Sequence, residues 1–514
     1  MQYVANPRTS FAIVPVDTSV GPEKQRCLLI GQKTSSGSST SGTLVTDVPR
    51  DDASINALFG ADSHLAMIAR AYRSVNKRTR VDALPLDDNG SGVAATASVA
   101  FSGTATGSGR LTVTVVSAEL HTYELDVAVG DTAATLATNL SAIIGADRNM
   151  PFTKAVSTGT ITFTAANAGT HANDWLLALD GAVAGITTTL TGWHNGATNP
   201  SLTTLLDPVG AVRYQSIVWP SSYTTSTIKA FLNGRKNVNN AVMDGMAFMY
   251  ANQAFSTLKS TALALNSSEF CIIANEPTSV SGRWIGPHVP EAPDCITAKI
   301  VAAFDRRLDP GASISDIVST NAALDQYGGI HTHSLPLFNT PLLNTGMPLK
   351  GTGFTDDEQV ELRDNGVSII GANREWNAVI TSVMVTTWQN DDAGNPDETW
   401  KYVEWRRTHG AIREYFQENC QKRFRQSRLT TGVAVPLYDI ADEAIIRAYL
   451  LQLYLELTQW CLTVAGPEAR AAFMKNLSVI LVPGQRLVQV AAKVQMVSQL
   501  GEIDGTIEYT FSTN

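Results

Sequence analysis

At 514 residues the chain is longer than a single hydrophobic core usually serves, so several domains are expected. Its 44% hydrophobic and 17% charged residues point to a globular rather than a disordered protein. A formal net charge of -9 excludes a general nucleic-acid binder, which carries a basic surplus. The five cysteines, Cys27, Cys271, Cys295, Cys420 and Cys461, are scattered and show no Cys-x-x-Cys spacing. That pattern points to reduced, mostly buried thiols and cytosolic synthesis rather than a disulfide framework.

The first residues, Met1 to Arg8, lack a basic stretch followed by an apolar one, so no secretory signal is expected. The segment to about residue 22 reads as an extended arm. Its apolar run Phe11-Ala12-Ile13-Val14-Pro15-Val16 contains a proline, which confines it to an edge or swapped position. Arg26-Cys27-Leu28-Leu29-Ile30-Gly31 suits a buried strand, and the Ser/Thr/Gly-rich stretch 32–43 suits a loop. Helical spacing from Asp52 to Asn76 breaks at Gly60.

A composition shift marks residues 90–200, where Arg110, Arg148 and Lys154 are the only cationic residues. Alternating runs such as Leu111–Val115, Tyr123–Val127 and Thr160–Thr164 predict strands. A helix over 132–144 is expected to open on Asp131. Bounded by glycine-rich turns, this block reads as an inserted domain. From Tyr214 to Arg307 strands alternate with helices, which predicts parallel pairing.

Farther on, 366–371 and 378–386 read as a hairpin, followed by a turn at Asn395-Pro396-Asp397. Long helices are expected from Val403 to about Arg425 and from Ile440 to Val464, with Gly466-Pro467 stopping the second. That second helix carries Arg447 and Glu456 and is too mixed to span a bilayer. Strands over 487–497 and 505–511 close the chain.

Signatures of common chemistry are missing. No Gly-Lys dipeptide occurs, so a Walker A phosphate loop is excluded, and no dinucleotide, acyl-transfer or zinc-hydrolase motif is present. His331 and His333 could share one face as metal ligands, but two histidines beside Gly328-Gly329 are more commonly loop residues. Asp356-Asp357-Glu358 fits the first turn of a helix capped by Thr355 better than an acid-base site. Asp391-Asp392 fits a solvated turn.

One charge feature stands out. Arg406, Arg407, Arg413, Lys422, Arg423, Arg425 and Arg428 face only Glu414 and Glu418 in the same stretch, seven cations less two anions. Ile412, Phe416, Cys420 and Phe424 would form the buried stripe of that helix, with Arg406 and Arg413 projecting away. The face is either solvated, with cations favoured near the helix C-terminus, or a docking surface for an acidic partner.

The order of textures resembles the tail sheath proteins of contractile phages, in particular the Mu-like branch. The resemblance is carried by Phe11 to Val20 with Arg26 to Gln32, by Tyr123 to Ala142, and by Gly366 to Ile369 with Val385 to Gln389 and Trp400 to Glu404. The arm run departs from the commoner Pro-Gly-Val-Tyr form. The fold expected is a mixed α+β multi-domain chain: α/β core sections, an inserted β-rich domain, and extended N- and C-terminal strand-donating arms. Its segments are an arm (1–22), a first sheath part (23–89), an inserted outer domain (90–200), a second α/β part (201–350), an inner, tube-facing C-terminal domain (351–500) and a C-terminal arm (501–514).

The resemblance implies a homo-oligomer of stacked rings around a tail tube protein, with baseplate and terminator proteins at its ends. It implies assembly in the host cytoplasm, residence in the virion, no cofactor, no catalytic or metal site, no direct nucleic-acid contact and no membrane insertion. The arm residues that would pair between subunits are Phe11, Ile13, Val14, Val16, Ile507, Tyr509 and Phe511, which have no obvious partner near them in the sequence. The basic helix would face the tube. The alternative is a phage-associated carbohydrate-active or other surface enzyme with a β-rich binding module. That reading needs a converged carboxylate pair or nucleophile.

Overall fold

Short apolar runs alternating with amphipathic segments favour a parallel sheet covered by helices on both faces, and such a sheet forms the centre of this protein. The computed structural model describes residues 8–13 and, with interruptions, 25–497; the longer interruptions are 237–243, 275–290, 309–341, 343–352 and 431–439.

The described chain begins with strands β1 (Arg8–Ile13) and β2 (Arg26–Gln32). Asp51 caps helix α1 (Asp52–Phe59) by accepting from Ser54 N, and Gly60 at φ +91° ends it. Ser63 caps α2 (His64–Val75), so the break expected at Gly60 separates two helices. Strand β3 (Arg80–Leu86) follows.

Residues 94–194 then build β4 (Ala94–Gly103), β5 (Gly109–Val116), β6 (Leu120–Val127), α3 (Ala133–Ile144), β7 (Phe152–Ser157), β8 (Thr160–Ala168), β9 (Leu176–Asp180) and β10 (Ile186–His194). Two antiparallel sheets result, ordered β10-β4-β8-β7 and β6-β5-β9. Thr132, rather than the expected Asp131, caps α3 by accepting from Thr135 N. Asp131 instead turns back to accept from Ala128 N at 2.8 Å. The two residues compete for neighbouring roles, and the turn claims the longer acceptor.

The α/β texture yields β11 (Ser216–Val218), α4 (Thr225–Lys236), β12 (Met246–Tyr250), α5 (Phe255–Leu265), β13 (Phe270–Ala274), α6 (Pro293–Leu308), α7 (Asp356–Asp364), β14 (Val367–Ala372) and β15 (Ala378–Ile380). Thr355 and Glu358 form a reciprocal capping box at α7, which is the structural role of the Asp356-Asp357-Glu358 run. The last section contains α8 (Val403–Phe424), the short pair β16 (Arg428–Leu429) and β17 (Ile440–Ala441), α9 (Glu443–Gln459), α10 (Pro467–Asn476), β18 (Ser478–Val482) and β19 (Leu487–Lys493). Gly466-Pro467 does not stop the expected helix: α9 begins only at Glu443, after Asp442 caps it, and has already ended at Gln459. Pro467 starts α10, because a first-turn proline gives up only a donor that no helix bond uses.

The central sheet runs β15-β14-β13-β12-β11-β2-β3, parallel at every pairing except β14 with β15. The expected hairpin of β14 and β15 is present, and β14 also joins β13 to extend this sheet. Successive side chains on each strand enter opposite cores. Cys27, Leu29, Val218 and Phe248 pack with α1, α2 and α6, whereas Leu28, Ile30, Ile217 and Ala247 pack with α4, α5 and α7. The first of these cores continues without interruption into Val99, Leu125, Leu140, Phe163 and Trp193 of the β-rich block. A third core lies apart, between α8, α9, α10 and the sheet of β18 and β19.

Candidate functional site

The two ends of the described chain meet in one small sheet. β19 lies between β1 and β18, antiparallel to both, with Phe11 opposite Val490 and Ile13 opposite Val488. Phe11 and Ile13 have no partner near them in the sequence; within the chain their backbone pairs with the distant strand β19. Val14, Val16, Ile507, Tyr509 and Phe511 lie outside the described residues. The sheet rests on the third core, where Val479, Val488 and Val490 meet Ile412, Phe416, Leu450 and Phe473. β18 forms one edge, with Ile480 54% exposed on it.

Helix α8 joins this lobe to the central sheet. Its stripe of Ile412, Phe416, Cys420 and Phe424 is buried as the spacing predicts. Its cations require a correction. Arg406, Arg407 and Arg413 do not project into solvent; they are 5%, 9% and 8% exposed. The first turns of α8 pass beneath the amino ends of the parallel strands, where Glu269 immediately precedes β13 and Asp244 stands two residues before β12. Arg413 Nη1 donates to both oxygens of Asp244 at 2.9 Å. Arg406 reaches Asp244 at 3.5 Å and Glu269 at 3.2 Å, and Arg213 pairs with Glu414 at 2.5 Å. Arg407 donates to Ser216 Oγ at 2.6 Å and approaches Asp305 at 3.7 Å. The apparent local surplus of positive charge is matched by carboxylates more than 100 positions away.

This seam holds its charges firmly. Burial alone would push the Asp244 carboxyl up, but Arg406, Arg413, His409 and Arg213 outweigh it and hold the group far below the usual carboxylate range. His409 is pushed down to about 3 by burial and then by Arg406, whose Nη1 donates to its Nδ1 at 3.1 Å. Beyond the seam, Lys422 is exposed and pairs with Glu418, Arg423 is half-buried and Arg428 is exposed. Arg425, His331 and His333 lie outside the described residues.

A second polar cluster joins the β-rich block to the central sheet. Strand order reverses between β2 and β11, the position at whose carboxyl end α/β sheets usually take ligands. Here the chain fills that crevice itself. Gln32 Nε2 donates to Ala168 O and Asp88 at 2.6 Å, and Asn199 Nδ2 donates to Ser222 O at 2.6 Å. His64 Nε2 meets Asp294 at 2.8 Å, and its ring stacks on His171 at 4.5 Å. Burial, then the His64 charge, pushes His171 well below the ordinary histidine range.

Cys27, Cys271, Cys295 and Cys420 are buried thiols and Cys461 is exposed. Among the described residues no group of three or more His, Cys, Asp or Glu could hold a metal ion, and no helix is long and apolar enough to cross a membrane.

No family model matches the chain. A Mu-like prophage FluMu tail sheath protein from Haemophilus influenzae is 26% identical over 441 residues, 84% of this chain and 82% of the relative. Among solved structures, a sheath tail protein from Desulfitobacterium hafniense aligns with a TM-score of 0.48 at 12% identity, covering 94% of this chain and 96% of that one. A sheath tail protein from Listeria innocua gives 0.46 at 13% identity, covering 93% of each chain. A chain of the anti-feeding prophage baseplate gives 0.48 at 12% identity, covering 99% and 98%.

Proposed function

From a chain related over 441 residues to a Mu-like phage tail sheath protein, we propose a structural subunit of a contractile tail sheath that polymerises helically around an inner tube and contracts to drive it through the host envelope. The observation that carries the assembly reading is the terminal sheet. β1 is bound to β19 through a six-residue antiparallel ladder, Arg8 to Ile13 against Lys493 to Val488. The same hydrogen bonds form equally well when β1 of one copy meets β19 of another, so exchange between copies costs little in bonding. The eleven residues 14–24 between β1 and the first described residue of the core can reach about 36–40 Å when extended.

Contraction is then a change between two packings of the same subunits, with the terminal strands as links that survive it. Stored packing energy drives such a change, so no bond-breaking site is required. The partners are further copies of this chain, a tube protein, and baseplate and terminator proteins at the ends, in a virion assembled in the host cytoplasm. The β-rich block faces outward. With Arg406, Arg407 and Arg413 committed to the seam, the charge left to meet the tube is at the far end of α8, from Lys422 to Arg428.

Electron microscopy of the full-length protein, beside chains lacking 1–20 or 504–514, tests this reading. Hollow striated cylinders from the intact chain, absent from both truncations, are expected. Monodisperse particles from all three would overturn it.

A further inference from the structure

Beneath α8 the seam borders a half-open cavity of about 30 Å³, lined by Gln25, Arg213, Asp244, Arg406, Arg407 and Gly410 among others. About 10–15 Å³ accommodates one water, so this space takes a single small species and excludes phosphate or a carboxylate ligand. Three guanidinium groups line it against one carboxylate, Asp244, and Asp244 is already engaged by Arg413 and Arg406.

Arg407 is the least satisfied member. Its Nη2 is used by Ser216, but its Nε and Nη1 are buried without an acceptor. Asp305, 3.7 Å from its Nη2, already accepts from Gln25, Ser216 and Tyr72 at 2.8, 2.6 and 2.8 Å, and Glu404 adds a negative charge near Arg407 along the same helix. Phe248 and Phe304 lie 5.3 and 5.7 Å from the guanidinium and supply no lone pair. Two orphaned, charged donors inside a protein are costly, and a small acceptor beside them removes most of that cost.

We propose that this cavity is a binding site for a monatomic anion of chloride size, held by Arg407 with Arg213 and Arg406, which locks the first turns of α8 beneath the central sheet. Negative charge suits the site better than water, because the groups that line it directly are three guanidiniums and one carboxylate. The anion leaves the seam's existing ion pairs in place and binds only when α8 is seated, so it stabilises that seating by mass action.

The test uses the full-length protein crystallised with sodium bromide in place of chloride. An anomalous peak in the cavity beside Arg407 is expected. An ordered water there, with bromide confined to the surface as an adventitious ion only, overturns the proposal. In solution, replacing gluconate by chloride at a constant ionic strength of about 0.2 M should raise the α8-lobe melting temperature by about 1–2 °C. Arg407→Lys keeps the charge but loses the planar donors and should abolish that difference. Should that variant fail to fold, Ala411→Val narrows the same cavity and should abolish it equally. A chloride effect unchanged in a folded variant would also overturn the site.

Discussion

The two halves of α8 are held by opposite means. Its first turns sit among Asp244, Glu269 and Asp305 in a buried network of ion pairs, whereas its last turns lie in an apolar core with Leu450, Leu453 and Phe473. One 22-residue helix, about 33 Å long, thus carries two kinds of joint. The ionic half depends on geometry and on complete pairing; the apolar half depends on buried area and tolerates repacking. The ionic half specifies one seating of the helix, and the apolar half keeps the terminal sheet attached to it.

Substitution should separate the two. Asp244→Ala leaves Arg406 and Arg413 without their shared carboxylate, and an uncompensated buried charge costs about 3–5 kcal/mol. Denaturant unfolding should show that loss, concentrated where α8 meets the central sheet. Phe416→Ala in the apolar half should cost about 3 kcal/mol through cavity formation, and hydrogen exchange should localise it to α9, α10 and β19. If Asp244→Ala costs no more than a surface change, the seam is not the joint described.

Acid sharpens the same contrast. His409 is held down to about 3 in the folded chain, against an unfolded value near 6.5, so the unfolded state binds the extra proton first. Its contribution is complete above about pH 6.5 and is lost as pH falls towards 3, at about 1.4 kcal/mol per pH unit. His409→Gln should flatten that slope in denaturant titrations. The depressed Asp244 acts in the same direction at lower pH, with stability lost as pH falls below the ordinary carboxylate range. The smallest effect is expected at the exposed end of α8. Lys422→Ala removes an i,i+4 pair with Glu418 and should change stability by about 0.3 kcal/mol, within thermal-melt error.

The crevice between β2 and β11 offers a parallel lesson. The low-cation composition of 90–200 marks a distinct texture, yet its apolar residues continue the core beneath α2 and α6. Removing 90–199 should therefore strip Gln32 and His64 of their contacts with Ala168, Asn167 and His171, open the shared core and cause aggregation. A soluble, cooperatively folding deletion would show the two cores to be energetically separate.

What the amino-acid order by itself determined is local. Helical spacing marked the stripe Ile412, Phe416, Cys420 and Phe424, strand alternation marked the β-rich block, and Thr355 with the acids after it marked the start of α7. Each depends on residues within about four positions, where backbone geometry sets which side chains share a face. The tertiary structure decided the rest. It placed Asp244 and Glu269 under Arg406 and Arg413, brought β14 beside β13, and paired Arg8–Ile13 with a strand near residue 490. Those choices depend on which distant groups become neighbours once water is excluded. A count of charges along a helix contains no information about a carboxylate 137 or 169 positions away.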